Sequence, residues 1–335
     1  MPKHVLIAAN PKSGAGPSRG RVIELQAAVT AAGFNCQIEF SLEALLQHCL
    51  RLHSQGELRA VVSAGGDGTA EALANLLPAH IPLLLFPLGT ENLLAKHLRI
   101  TGDINQACDI LQRDQRLALD VGCANGKFFL VMLSCGFDAE VVRHMHAIRR
   151  GHINRWSYAR PIFSSLRSYR FPQLGWTMDA PPSVVTSTNA SVVVRPEFET
   201  NSEVASAPDS APDSAALQRS AAWLFVFNVP RYAAALDFCP QADPTDGQLD
   251  VCTFERSGVA SGVGYLTRLW FGRHHTMRGF AHTRCRHLEI PAPIDNNGRT
   301  LDVPFQIDGD PGGLLPLTID VLPGRLSLLV PETCP

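Results

Sequence analysis

Ser63-Ala64-Gly65-Gly66-Asp67-Gly68-Thr69 decides how the first part of this chain is read. The apolar run Ala60-Val61-Val62 leads into it, and the helix-like run Glu71-Ala72-Leu73-Ala74-Asn75-Leu76-Leu77 follows. A strand that breaks into glycines and then starts a helix suits phosphate, because glycines admit close backbone approach and helix N-termini favour anions. An acid in such a loop repels phosphate unless a divalent cation lies between them, so Asp67 points towards a metal–nucleotide site. The plainer alternative is a tight strand-to-helix turn with Asp67 as N-cap.

Two more loops of this kind flank it. Asn10-Pro11-Lys12-Ser13-Gly14-Ala15-Gly16 follows the strand predicted over Val5–Ala9, and Pro87-Leu88-Gly89-Thr90-Glu91-Asn92 follows one over Leu83–Phe86. Further strands are predicted over Cys36–Phe40 and Ala60–Ser63, with helices over Arg19–Ala32, Leu42–Ser54, Thr69–Leu77, Glu91–Leu98 and Ile104–Gln112. Short apolar strands between helices imply a parallel sheet covered on both faces, whose ligands bind at the carboxyl ends of the strands. Gly14-Ala15-Gly16 and Gly20, with Glu39 ending the next strand, also imitate a dinucleotide fingerprint. That leaves a dinucleotide-dependent dehydrogenase as an alternative, although Asn10-Pro11 separates the strand from the glycines.

The pattern changes near residue 120. Leu117–Cys123 and Lys127–Ser134 flank Asn125-Gly126, a hairpin signal. Strand patterns recur over Gly175–Met178, Ser183–Val194, Ala222–Val229, Leu249–Phe254, His287–Ile290, Val303–Ile307, Leu317–Leu322 and Arg325–Val330. This is antiparallel material for a β-sandwich, interrupted by helices near Arg155–Arg170 and Gly258–Phe271. Residues 197–220 hold the repeat Ala207-Pro208-Asp209-Ser210, Ala211-Pro212-Asp213-Ser214 and are expected to be a disordered insertion. The division expected is an α/β nucleotide-binding domain over 1–122 and a β-sandwich over 123–314, with about 315–335 packing back on the first domain.

Composition bounds the function. A chain of 335 residues with 45% apolar and 18% charged residues has the content of a globular protein, and its net charge of −2 offers no broad basic field for nucleic acid. Cys36, Cys49, Cys108, Cys123, Cys135, Cys239, Cys252, Cys285 and Cys334 form no CxxC pair and sit in apolar runs, as expected of reduced cysteines in a cytoplasmic protein. No stretch reads as a signal peptide or membrane span, so membrane contact is expected to be peripheral.

Taken together, Asn10-Pro11-x-Ser13-Gly14-x-Gly16, Gly65-Gly66-Asp67-Gly68-Thr69 and Pro87-Leu88-Gly89-Thr90-x-Asn92 resemble the diacylglycerol kinase catalytic-domain family. The resemblance is closer to its soluble bacterial lipid kinases, which are relatives of sphingosine and ceramide kinases. Asp243-Pro244-Thr245-Asp246-Gly247-Gln248-Leu249-Asp250-Val251 resembles the family's DG-x-LDV segment, and Ile307-Asp308-Gly309-Asp310 its D-G-E segment. The resemblance implies an NAD-kinase-like parallel α/β domain joined to a β-sandwich, and ATP-dependent phosphorylation of a lipid hydroxyl of the diacylglycerol or ceramide type. An NAD-kinase-like small-molecule kinase is the alternative that shares the glycine–aspartate core.

The roles it implies are specific. Asp67 would hold Mg²⁺–ATP. Asn10, Lys12, Ser13, Gly14, Gly16, Gly65, Gly66, Gly68, Thr69, Gly89, Thr90 and Asn92 would line the nucleotide. Asp308 would be the general base, and Asp310 would stand where the family has glutamate, with a shorter reach. Read without the family, Asp308-Gly309 is first a hairpin turn. Asp243, Asp246 and Gln248 would hold a second, structural Mg²⁺ or Ca²⁺; a plain turn explains the same residues. Glu91 departs from the family's small residue and brings a charge near the nucleotide.

The lipid substrate requires a membrane surface. Between Val141 and Met178 there are seven arginines (143, 149, 150, 155, 160, 167, 170), no acid, and Trp156, Tyr158, Phe163, Tyr169 and Phe171 among them. Such a stretch suits the anionic inner face of a membrane, with the aromatics at the interface. A solvated helix face is the bland alternative.

Overall fold

The computed structural model describes residues 3–9, 17–148, 165, 169–179, 219–232 and 236–334. The strand predicted over 183–194, most of the helix expected over 155–170 and nearly all of the 197–220 insertion lie outside these residues. Four strands, β1 (His4–Ala9), β2 (Asn35–Glu39), β3 (Leu58–Gly65) and β4 (Leu83–Pro87), pair in parallel in the order β2-β1-β3-β4. Five helices connect and cover them: α1 (Pro17–Ala31), α2 (Leu42–Ser54), α3 (Asp67–Leu76), α4 (Leu93–His97) and α5 (Ile104–Arg113). Ser41 and Asp103 cap α2 and α5 through the amides of Ala44 and Asn105. Both sheet faces are covered: Val61 joins a core with Leu45 and Leu73, while its neighbour Val62 joins Leu25 and Ile110. That is why β3 reads as a continuous apolar run.

The parallel sheet does not end at β4. Strand β18 (Leu317–Leu329), expected as two strands, is one, with a register shift between Leu322 and Leu326 where Gly324 takes φ +58°. Leu328 lies parallel to Leu83 of β4, and most of β18 runs antiparallel to β5 (Arg116–Ala124). The first residues of β18 pair with β15 (His287–Ile290), which continues to β8 (Leu174–Met178) and β9 (Arg219–Ala221). One ten-stranded sheet thus serves both halves, with β6 (Lys127–Phe129) beside β5.

A second, six-stranded antiparallel sheet closes the sandwich. Its order is β14 (Phe280–Cys285), β13 (Leu249–Phe254), β10 (Trp223–Phe227), β7 (Met132–Gly136), β16 (Pro304–Ile307) and β17 (Asp310–Leu314). Leu224, Val226, Val251 and Ile307 face Trp176, Leu288, Ile319 and Val321 of the first sheet. The outer face carries Trp223, Phe225, Phe227 and Phe254, packed against Phe137 of α6 (Phe137–Ile148) and Tyr265 of α7 (Val259–Trp270). A short hairpin, β11 (Arg231–Tyr232) and β12 (Leu236–Asp237), lies beside α4.

Two local differences from expectation have physical causes. Lys127–Ser134 is not one strand, because the amides of Leu130, Val131 and Met132 turn to the Asp308 carboxyl instead of a ladder. Helix α6 was not anticipated, although Asp138 and Glu140 in its first turn suit a helix N-terminus.

Asp120 binds this arrangement together. Its buried carboxyl accepts from Gly247 N at 2.6 Å and Gly324 N at 2.7 Å, its own amide donates to Pro244 O at 2.7 Å, and its carbonyl accepts from Asn228 Nδ2 at 2.9 Å. The Asp243–Gln248 loop, the β18 bulge and the end of β10 therefore meet on one residue. Asp120→Ala strands two amides in the interior and is expected to lower stability by about 2–4 kcal/mol in urea denaturation, with unchanged far-ultraviolet circular dichroism at zero denaturant.

Candidate active site

The register fixes where the glycine loops emerge. Ala9 pairs with Ala64 and Gly65 with Pro87, so β1, β3 and β4 end along one edge. The loop from Asn10 to Gly16, with Lys12, Ser13 and Gly14, lies outside the described residues. The other two loops are packed backbone to backbone. A Cβ on Gly89 would lie 2.6 Å from the Gly66 Cα, and one on Gly65 would lie 2.2 Å from Thr69 Oγ1. Leu88 N donates to Gly65 O at 2.8 Å, and Asn92, at φ +48°, closes its own loop by donating from Nδ2 to Gly89 O at 2.6 Å. Gly68 has open space at its Cβ position, and Thr90 is exposed. A pocket lined by Gly65, Gly66, Asp67, Ala70, Phe86, Pro87 and Asn92 opens at this edge.

Asp67 is the first residue of α3 but does not cap it. Its Oδ2 accepts from Leu93 N at 2.9 Å and Oδ1 from Leu94 N at 3.3 Å, so it caps α4 from another element. Burial raises its pKa against those two amides and Lys96; Glu91 raises it further, so the departure at Glu91 does bear on this carboxylate. The amides leave lone pairs on both oxygens, and the glycine cradle leaves the α3 N-terminus open at Gly68. A divalent cation with phosphates suits that donor set.

Helix α3 then runs from this loop to the second candidate residue. Asp67, Glu71 and Asn75 are spaced i, i+4, i+8 on one face. Buried Glu71 pairs with Lys127 Nζ at 2.9 Å, and its charge reaches both Asp308 and Asp310. Asn75 pairs with Phe128 as a strand would, accepting from its amide at 2.9 Å and donating to its carbonyl at 3.3 Å. Arg325 donates to Leu77 O at the far end of α3 and lies over the Phe128 ring. None of Glu71, Asn75 or Lys127 was singled out from sequence; the only available signal was the i+4 spacing from Asp67.

Asp308 proves to be both a turn residue and a buried acceptor. Asp308 and Gly309 have φ +48° and +90°, as a two-residue hairpin turn between β16 and β17 requires. Its Oδ2 accepts from Leu130 N at 2.7 Å, and Oδ1 accepts from Val131 N and Met132 N at 2.9 Å each. The residue is half-buried with its carboxyl turned inward. Burial pushes the pKa up to about 7, with Glu71 adding to the rise and the three amides opposing it. Oδ2 keeps one lone pair for a proton. Beneath the turn, Gln306 Oε1 accepts from Gly309 N at 2.8 Å while its Nε2 donates to Ser134 Oγ at 3.0 Å. Ser134 and Tyr232 hydroxyls both donate to Asp138, a half-buried acid that sequence reasoning did not find.

The remaining predicted residues are placed as follows. Asp310 opens β17, 44% exposed, with His146 Nδ1 at 3.7 Å. Asp243 accepts from Thr245 N and Oγ1; Asp246 accepts from Gln248 N at 2.9 Å and faces Arg284 Nη1 at 3.4 Å. Burial raises the Asp246 pKa, with Asp250 and Asp243 adding to the rise and Arg284 opposing it, and that guanidinium already supplies positive charge where the second metal was expected. Of the arginine-rich stretch, Arg143 is not free, because Glu140 takes it through two bonds of 2.9 and 2.8 Å. Phe171 is buried and stacks on Phe137, and Tyr169 packs against both, so these aromatics fill the core and not an interface. Arg149, Arg150, Arg155, Arg160 and Arg167, with Trp156, Tyr158 and Phe163, lie outside the described residues. Glu39, the ribose-binding position of a dinucleotide fingerprint, is paired to His48 at 2.7 Å, and Gly20 lies inside α1.

Glycine loops at the carboxyl edge of a parallel sheet, continued by a shared strand into a β-sandwich, define an NAD-kinase-like phosphotransferase architecture. The chain belongs to the lipid kinase family of that class: residues 131–330 match the YegS C-terminal NAD kinase β-sandwich-like domain, and residues 4–124 match the diacylglycerol kinase catalytic domain. A protein of Pseudomonas fluorescens named "Probable lipid kinase YegS-like" is 28% identical over 93% of this chain and 92% of its own. A "Diacylglycerol kinase" of Staphylococcus epidermidis is 21% identical over 83% of this chain and 76% of its own. In structure, a diacylglycerol kinase of Bacillus anthracis superposes with a TM-score of 0.61 at 15% identity, covering 99% of this chain and 98% of that one, a likeness of fold.

The contact between Gly66 and Gly89 generates a test. Gly89→Ala drives a methyl into backbone and must part the two loops, so phosphotransfer is expected to fall at least tenfold with little loss of melting temperature. Gly20→Ala, in a helix with open space, is expected to keep activity and gain about 0.5–1 kcal/mol.

Proposed function

We propose that this protein transfers the γ-phosphoryl group of ATP to a free hydroxyl of a membrane lipid of the diacylglycerol or ceramide type. The observation that carries the reading is the single face of α3, which puts an anion-receptive glycine loop with Asp67 at one end and directs Glu71 towards the half-buried Asp308 carboxyl. Phosphoryl transfer asks mainly for positioning and charge stabilisation, with one group to take the hydroxyl proton. Asp67 would hold Mg²⁺, which when bound neutralises phosphate charge. The loop amides and the α3 N-terminus would orient the phosphates. Asp308 would receive the hydroxyl proton at Oδ2 as the hydroxyl oxygen bonds to phosphorus and ADP leaves. Asp243, Asp246 and the Gln248 carbonyl would hold a structural cation only by sharing the site with Arg284.

The lipid would be met at a surface. Among the described residues no helix is long and apolar enough to cross a membrane. Helix α7 buries Tyr265 and Leu269 but exposes Val263, Trp270 and, just beyond its end, Phe271 at 50%, 62% and 70%. Arg268, Arg273 and Arg278 are exposed beside them. Exposed aromatics rimmed by arginines favour an anionic interface, and they replace Tyr169 and Phe171 in that role.

The direct test is labelled ATP with diacylglycerol, ceramide, phosphatidylglycerol and monoacylglycerol in mixed micelles. One labelled lipid is expected, with Asp67→Ala slower on the order of a thousandfold. Phosphorylation of NAD⁺ and of no lipid would overturn the reading.

The pH profile tests the base. Turnover is expected to rise with pH through about 7 as Asp308 loses its proton. Stability should move the other way. The folded pKa lies above the unfolded value of about 3.9, so this group's contribution is complete below that pH and lost as pH rises through about 7. Turnover that is flat across neutral pH assigns the proton elsewhere.

For the surface, Trp270→Ser with Phe271→Ser is expected to weaken pelleting with anionic vesicles and to spare the melting temperature, since both side chains are exposed. Undiminished pelleting would place membrane contact on another face.

A further inference from the structure

On the outer face of the second sheet, away from the glycine loops, three chemically unlike donors converge. Cys239 follows β12, Asp250 lies on β13 and His282 on β14, and their ligating atoms are all within 4.8 Å of one another. The sheet register builds the cluster. Asp250 and Cys252 share a face of β13, and their partners across the ladder are Arg284 and His282. Cys239, Asp250 and Cys252 are each only 1% exposed, while the His282 side chain is 25% exposed and opens the cluster to solvent. His282 Nε2 stands 2.6 Å from Asp250 Oδ1, and the Cys252 thiol engages Cys239. Neither the phosphotransfer chemistry nor the core packing calls for this set.

We propose that Cys239, Asp250 and His282 form a divalent transition-metal site of the zinc type, with solvent at the open fourth position. Thiolate, imidazole and carboxylate in one place select a borderline-soft ion such as Zn²⁺ or Co²⁺ over Mg²⁺ and Ca²⁺, which take oxygen. An ion bonded at about 2.0–2.3 Å fits among three ligating atoms that lie within 4.8 Å of one another. The strands hold two of the three donors in fixed register, and the ion takes the place of the proton between His282 and Asp250.

Charge also closes. The Cys239 thiolate and the Asp250 carboxylate balance one dication, while the Arg284 guanidinium, whose Nε lies 3.3 Å from Asp250 Oδ1, is also faced by Asp246. Arg284 also donates to Gln241 O at 2.9 Å, so it orients the carboxylate as an outer-shell partner would. The ion would staple the Cys239 loop to β13 and β14. That same loop leads into Asp243–Gln248, which Asp120 ties to β5 and β18.

The test uses the full chain, reduced, stripped with chelator and titrated with Co²⁺. One Co²⁺ per chain is expected, with a sulfur-to-cobalt charge-transfer band and tetrahedral visible bands that Zn²⁺ abolishes and excess Mg²⁺ does not. Cys239→Ser and His282→Ala should lose the band. Cys285→Ser, buried in the other core of the sandwich, should keep it. Independently of any variant, Zn²⁺ should raise the wild-type melting temperature and chelator should lower it. No thiolate band, an undiminished band in Cys239→Ser, displacement by Mg²⁺, or a metal-insensitive wild-type melt would each overturn the proposal. So would a Cys239–Cys252 disulfide that forms in air at the same rate with saturating Zn²⁺ present.

Discussion

The three amides of Leu130, Val131 and Met132, gathered by one carboxyl, are the contact on which both halves of this protein depend. Here the chain leaves the large sheet at β6 and enters the second sheet at β7, so consecutive amides lose their ladder partners in the interior. Unpaired buried amides are costly, and Asp308 removes the cost by reaching in from the β16–β17 turn. Asn228 does the same for the carbonyls, donating to Leu130 O at 2.9 Å and, through its amide, to Val131 O at 2.9 Å. The residue proposed to move a proton is thus part of the frame that joins the sheets. Replacing its carboxylate by an amide would point an NH₂ at one or more amide donors. For Asp308, activity and folding therefore cannot be separated by the usual isosteric change, and pH becomes the cleaner variable.

Helix α3 converts sequence spacing into distance between functions. Its first residue reaches the start of α4, the next turn reaches Lys127, and the third pairs with Phe128 in the manner of a strand. Arg325 holds the other end. A helix fixed at both ends by groups from both halves sets how far the glycine loops stand from the Asp308 turn. Buried Glu71 in the middle keeps a negative charge close to Asp308 and disfavours its ionisation, which helps place that carboxyl near neutrality.

What could be read from sequence was what local rules govern. The parallel strands, their helices and the glycine loops follow from periodicity and backbone freedom, so β1 to β4 and α1 to α5 lie close to where the pattern put them. The resemblance supplied Asp308, which local rules alone assign to a turn. The rest depends on partners far away in the chain. Asp120 finds its amide donors 127 and 204 residues later, and no spacing rule anticipates that. The break between β6 and β7 was invisible for the same reason, since its cause lies on β16–β17. Phe171 and Tyr169 misled because aromatics among arginines look interfacial until tertiary packing shows Phe137 and Trp223 against them. The exposed pair Trp270 and Phe271 ended an ordinary helical pattern and gave no warning of their exposure.

Strand β18 carries one more implication, for how the molecule is made. Every strand it pairs with, β4, β5 and β15, precedes it in the chain. A growing polypeptide would therefore carry the parallel sheet with an open edge at β4, and a sandwich lacking its central strand, until synthesis has passed Leu329. Open apolar edges recruit other chains. Truncation within β18 is therefore a more serious injury than its few residues suggest, because it leaves β4, β5 and β15 without their shared partner.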